Sequence, residues 1–145
     1  MKVVIQRVKS ASVSVDNKVL GQIDQGLCLL VGFTDYDNQQ TIKYIARKIV
    51  NMRIFQDQDN KMNNSLINEN GKILSISQFT LLADTRHGNR PSFTEAGDFE
   101  NSKELYNRFN EELRKYDIKV EEGEFGANMQ VSILNDGPVT IILEK

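Results

Sequence analysis

The sequence contains no tryptophan, one cysteine, one histidine and two prolines. A single cysteine, Cys28, cannot close an internal disulfide, which fits a reducing cytosol. One thiol and one imidazole also rule out the Cys and His clusters that hold zinc, so neither a metal nor another cofactor is expected. No apolar run approaches the ~20 residues that a membrane-spanning helix requires. Met1-Lys2-Val3-Val4 enters directly into a strand-like pattern that leaves no room for a signal peptide. The expectation is a cytoplasmic protein without membrane contact. A strong excess of charge is missing as well. Lys and Arg number 18 against 20 Asp and Glu, a net charge of −2 with a pI near 5.5. That balance argues against a protein that coats nucleic acid through a broad basic surface. It does not exclude an enzyme that grips only the end of an RNA chain.

At 145 residues the chain suits one domain, residues 1–145, with one substantial core. Residues 3–8 and 11–15 alternate and are rich in β-branched side chains, and Asp16-Asn17-Lys18 supplies a turn before a further strand over 19–23. Residues 27–33 form a continuous apolar run, as in a strand buried on both faces. Cys28 lies inside that run and reads as a small buried side chain rather than a nucleophile. From about residue 37 the period changes. Ile42, Ile45, Ala46, Ile49 and Val50 share one helix face, with Asp37 or Asn38 as cap. Lys43, Arg47 and Lys48 form a basic stripe on that helix, read here as a solvated face. A polar stretch over 56–64 leads to the turn signal Asn70-Gly71.

Residues 72–82 read as a strand and 83–97 as a long loop. A second helix spans about 99–116, with Leu105, Phe109 and Leu113 on one stripe. Two final strands are expected over 130–134 and 139–143; Gly137-Pro138 can be read as a simple turn between them, an awkward one because proline has no N–H to donate. The fold class is therefore α+β, with mostly antiparallel sheets forming a barrel-like core and two main helices.

Two segments combine strand-like runs with chemistry-bearing ends. One is Ser77-Gln78-Phe79-Thr80-Leu81, continuing through Ala83-Asp84-Thr85 to Gly88-Asn89-Arg90-Pro91-Ser92-Phe93. In it a serine, a glutamine amide and a threonine supply several hydrogen bonds within four residues. Thr80 invites assignment as a nucleophile but needs a base, and the one histidine, His87, lies in the following loop. A Thr80–His87 dyad and a purely positioning Thr80 both remain open. The other segment is Asn135-Asp136-Gly137-Pro138-Val139-Thr140. Arg7 adds a third signal, because it continues the face of Val3 and Ile5, where a charge is out of pattern.

Together these segments strongly resemble the D-aminoacyl-tRNA deacylases, editing enzymes that strip D-amino acids from tRNA. The resemblance runs from Gln6-Arg7-Val8 and Ala11-Ser12-Val13 to the last strand. It implies a metal-free homodimer that hydrolyses the ester of D-aminoacyl-tRNA, and also glycyl-tRNA mischarged on tRNA(Ala). Ser77, Gln78, Phe79 and Thr80 would line the reaction pocket, and Phe125 and Met129 would help form the adenosine pocket. The ribose 2′-hydroxyl would assist hydrolysis, with backbone N–H groups near Phe79 and Thr80 stabilising charge on the ester carbonyl. Gly137-Pro138, cis in the family, would enter the partner subunit's site and exclude L side chains, with Arg7 holding it. Two rival readings are a relaxed editor of glycyl- or small L-aminoacyl-tRNA, and a noncatalytic module that binds the tRNA end or a translation factor.

Overall fold

Alternation governs the start of the chain, and the strands it produces are longer than the apolar runs suggest. The computed structural model describes residues 1–145. The strands are β1 (Lys2–Val15), β2 (Lys18–Ile23), β3 (Gly26–Gly32), β4 (Phe55–Gln56), β5 (Met62–Asn64), β6 (Lys72–Ser77), β7 (Val120–Glu122) and β8 (Gln130–Glu144). The helices are α1 (Gln39–Asn51) and α2 (Phe99–Arg114), and a short 3₁₀ turn covers Phe79–Leu82.

The two expected N-terminal strands are one. β1 runs unbroken for 14 residues, with register irregularities around Gln6, Val8 and Ser10 against β8. Arg7 and the adjacent Val8 are both buried, the mark of a bulge that re-aims a strand. Val3 and Ile5, before the bulge, join the core beneath the helices, while Val8, Ala11 and Val13 join a second cluster with Ile23, Cys28, Leu74 and Ile76. The irregularity that separates the apolar runs thus lets one strand serve two cores.

The main sheet follows the order β2-β1-β3-β6-β7, with β8 on the other side of β1. β1 pairs antiparallel with β2, β3 and β8, whereas β3–β6 and β6–β7 are parallel. A Cβ on Gly21 of β2 would stand 3.2 Å from Glu121 Cβ of β7, so the two ends of the path approach and the sheet nearly closes into a barrel. The result is one α+β domain. A larger residue at position 21 would crowd Glu121 and Glu122 there.

The turn at Asp16-Asn17 has positive φ at both residues (48° and 64°), as a two-residue hairpin requires. Asn38, not Asp37, caps α1, accepting from the N–H of Gln40 at 2.9 Å and of Thr41 at 3.2 Å. Asp37 instead accepts from the N–H and hydroxyl of Thr34 and from the Met1 amine. The apolar face of α1 is fully buried, as are Leu105, Phe109 and Leu113 of α2, while Lys43, Arg47 and Lys48 are exposed. No helix is long and apolar enough to cross a membrane.

Three further expectations need correction. The strand read over 72–82 ends at Ser77 and gives way to the 3₁₀ turn, so face alternation does not extend to Gln78 and Thr80. The strands read over 130–134 and 139–143 are one strand, β8, and Gly137-Pro138 is not a turn between them. β8 bulges instead. Val8 pairs with Asn135 and Gln6 with Thr140, leaving residues 136–139 opposite Arg7 alone. Finally, the polar stretch over 56–64 contains the small hairpin β4–β5, and β7 was not anticipated.

Candidate active site

A cavity of about 480 Å³ opens where the ends of β3 and β6 meet the start of α2 and the segment before β8. The parallel pairing of β3 with β6 brings Val31 opposite Ser77, so both strands deliver their C-terminal ends to one place, where α/β sheets usually present ligands. Ser77, Gln78 and Phe79 line one wall, Phe125, Ala127 and Met129 another. Of the residues expected in the site, these five meet: Ser77, Gln78, Phe79, Phe125 and Met129.

The 3₁₀ turn forms because Gln78 leaves the ladder after its N–H bonds Val31 O at 2.7 Å. Leu81 N–H then returns to Gln78 O and Ala83 N–H to Thr80 O. Phe79 and Thr80 carry the first two N–H groups of this turn, which have no carbonyl one turn back to bond. Gly32 makes the packing possible: a Cβ there would stand 3.0 Å from Gln78 O and 3.5 Å from Leu81 Cβ. Thr80 itself is exposed and outside the cavity lining, and its hydroxyl accepts from the Gln78 amide. His87 is exposed in the following loop and makes no hydrogen bond to Thr80.

Opposite the turn, Phe125 is held between two aromatic rings. Phe99 meets it edge-on at 5.2 Å and Tyr106 is tilted against it at 5.7 Å. The Tyr106 hydroxyl donates to Ser75 O at 2.7 Å, tying this aromatic stack to β6, and burial pushes its ionisation above the usual range. Gly126 has φ +79°, with the Phe99 ring where a Cβ would project. The ring of Phe125 is thus fixed by packing rather than by its own backbone.

The lining is notable for its chemistry. None of its 17 residues carries a titratable side chain. Its polar groups are hydroxyls, amides and backbone. No group of three or more Asp, Glu, His or Cys side chains is arranged to hold a metal ion. Cys28 is fully buried, and burial pushes its thiol up to about 12, so it stays protonated.

Gly137, Pro138 and Arg7 stand apart from the cavity. The Gly137–Pro138 bond is cis. Gly137 has φ +122°, and both it and Pro138 are exposed. Arg7 is 5% exposed and spans the bulge from below. Its Nε donates to Asp136 O at 3.2 Å and its Nη1 to Ile54 O at 2.5 Å. Arg7 pairs with Leu27 of β3, whereas the cavity takes Val31 to Phe33. At ~3.3 Å per strand residue that separation is roughly 13–20 Å. Sequence reasoning also left out Gly32, Ala96, Gly97, Phe99, Ser102 and Asn128, all in the lining. The one local signal among them was Phe99, an aromatic at the exposed first position of a helix.

Comparison with known proteins agrees with this architecture. The D-Tyr-tRNA(Tyr) deacylase family matches residues 4–144. A solved structure of a c-Myc DNA unwinding element binding protein superposes with a TM-score of 0.94 at 42% identity, covering 100% of this chain and 99% of the other. A probable eukaryotic D-amino acid tRNA deacylase superposes with a TM-score of 0.83 at 18% identity, covering 98% and 97%, which shows a shared fold. With its match from residue 4 to residue 144, the chain belongs to the D-Tyr-tRNA(Tyr) deacylase family, hydrolases acting on the ester of an aminoacyl-tRNA.

Proposed function

We propose that the cavity receives the terminal aminoacyl-adenosine of a D-aminoacyl-tRNA and that its hydrolysis is assisted by the substrate's own ribose. The observation that carries this reading is a lining with no acid, base or cation in it. With no general base in the lining, the 2′-hydroxyl beside the scissile 3′-ester is the group best placed to assist the attack. Ser77, Gln78 and Thr80 position the ester, and the N–H groups of Phe79 and Thr80 take the charge that develops on its carbonyl oxygen. Phe125 and Met129 offer a ring and a thioether to the adenine face.

Chirality is judged by Gly137-Pro138. Their distance from the cavity within one chain supports delivery from a second subunit of a homodimer, with Arg7 setting the bulge. The carbonyl groups there crowd the space of an L side chain, while D-amino acids and glycine pass. The place of action is the cytoplasm, and no metal or cofactor takes part. The 42%-identical neighbour is named for binding a DNA element. The net charge of −2 and the neutral cavity favour a small RNA terminus over a duplex.

The test is hydrolysis of D-tyrosyl-, L-tyrosyl- and glycyl-tRNA by the purified protein. Turnover of the D and glycyl esters with the L ester spared is expected. A D substrate ending in 2′-deoxyadenosine should bind yet remain nearly inert. Thr80→Ala removes the hydroxyl bonded to Gln78 but keeps the main-chain N–H offered to the ester carbonyl, so it should slow the reaction without abolishing it. Equal turnover of L and D esters would favour the relaxed editor, and binding without any turnover the noncatalytic module. Full activity on the deoxy substrate, with an ester trapped on Thr80, would overturn ribose assistance.

A further inference from the structure

Two aromatic rings lie beside the cavity, partly exposed in the single chain. Phe79 is 58% exposed and Phe93 is 37% exposed, and they meet edge-on with centroids 5.1 Å apart. Phe79 also lines the cavity, and the chain that carries Phe93 goes on to Ala96 and Gly97, which line it too. The loop is braced at both ends. Asp84 and Ser92 exchange backbone hydrogen bonds of 2.7 and 2.9 Å, and Gly97 N–H bonds Phe33 O at 2.9 Å. Phe93 therefore sits on a fixed support directly after the Asp84–Ser92 bridge.

Charge along the same loop is unevenly committed. Asp84 takes three hydrogen bonds from Arg86, through its N–H, Nε and Nη2 at 2.8–3.0 Å, which holds its carboxyl down to about 2. Arg90 is exposed and has no carboxylate partner. A ring face and an unpaired guanidinium thus lie on one braced loop, next to a cavity that has no cation of its own. A phosphate at the cavity mouth has to be met from outside the lining.

We propose that Phe93, with Phe79 at its edge and Arg90 on the loop tip, forms a platform for the nucleotide that precedes the terminal adenosine. Its base stacks on the exposed face of Phe93, and the linking phosphate is drawn to Arg90. Stacking on an aromatic side chain beside a cation is the usual way to hold a single-stranded base without reading its identity. This rests on the reading of the cavity as an adenosine site, but its test is separate from hydrolysis.

The probes are unacylated adenosine and the dinucleotide cytidylyl-adenosine, with affinities measured by calorimetry on the parent protein and three variants. The dinucleotide should bind about 5- to 150-fold more tightly than adenosine, the range that one stacked base contributes. In Phe93→Ala that ratio should fall towards one, and in Phe93→Tyr it should be retained. Arg90→Gln should weaken dinucleotide binding and remove most of its salt dependence while leaving adenosine binding unchanged. Equal affinity of the parent for both probes, or an unchanged ratio in Phe93→Ala, overturns the platform. A dinucleotide preference that depends on Phe93, with no hydrolysis of D-tyrosyl-tRNA, sustains the platform and sinks the proposed D-aminoacyl specificity instead.

Discussion

Arg7 of β1 lies beneath Asp136 of β8 and is bound to it twice, its Nε standing 3.2 Å from both the main-chain oxygen and carboxylate Oδ2. One buried cation opposite four bulged residues replaces the ladder bonds that strand pairing would otherwise supply there. The Arg7 side chain is 6% exposed and that of Asp136 is 38% exposed, so the two ends of the pair differ in what they contribute.

Replacing Arg7 should therefore cost more than replacing Asp136. Arg7→Lys keeps the charge but loses the planar fork that reaches both Asp136 O and Ile54 O. A loss of about 1.5–3 kcal/mol is expected from hydrogen bonds to a charged donor. Asp136→Asn keeps the main-chain contact and removes only a partly exposed ion pair, for a loss within about 1 kcal/mol. Urea unfolding of both variants checks the order, and equal losses would contradict it.

Gly32→Ala should damage the reaction more than the fold. The added Cβ would press on Gln78 O at 3.0 Å and push the 3₁₀ turn away from β3. Overpacking of this kind costs about 1–3 kcal/mol of stability. Shifting the Phe79 and Thr80 N–H groups by a fraction of their hydrogen-bond length should lower kcat about 10–100-fold, with a smaller change in KM. Steady-state kinetics on D-tyrosyl-tRNA, alongside a urea midpoint, separates the two effects.

Cross-subunit delivery of Gly137-Pro138 predicts complementation. Gly137→Ala places a Cβ 3.0 Å from Val139 Cγ2 and 3.1 Å from an Arg7 nitrogen, at a φ of +122° that disfavours any L side chain. This variant should keep its cavity and lose chiral selectivity. Mixed and re-equilibrated with a Gln78→Ala/Thr80→Ala variant, it should form dimers with one intact site, recovering about a quarter of the parental D-specific sites. A D-specific monomer, or no recovery on mixing, would count against the arrangement.

Cys28 should resist thiol reagents in the folded protein at pH 8 and react once urea unfolds it. Its thiol is raised from 9.0 to about 12 by burial alone. The sign for stability follows: the contribution is complete below pH 9 and is lost as pH rises towards about 12, because the unfolded chain ionises first. Cys28→Ser, which buries a hydroxyl without that ionisation, should flatten the alkaline limb of a stability–pH curve.

Much of this architecture was legible in the order of residues. Both helices announce themselves by period, because a helix's buried face depends on its own 3.6-residue repeat and little on what covers it. β3 is recognisable as a strand buried on both faces, and Arg7 as a charge where the pattern called for an apolar side chain. The Ser77–Thr80 and Phe125–Met129 segments were singled out only by their resemblance to a family, since spacing alone reads Phe125 and Met129 as core packing. Where β6 stops was not legible: residues 72–82 read as one strand-like run, and the strand ends at Ser77 because β3 offers Gln78 a last ladder bond and glycine then admits a tight turn. Nor could alternation reveal that β8 is one strand, since its continuity comes from pairing with β1 across a bulge. Short-range patterns record local geometry, whereas register, bulges and strand ends are decided by the partner strand. The same holds for the site. Ser77, Phe125 and Met129 meet in one cavity, while Thr80 stays outside it and Gly137-Pro138 and Arg7 lie well away, because only the closed sheet fixes which ends come together.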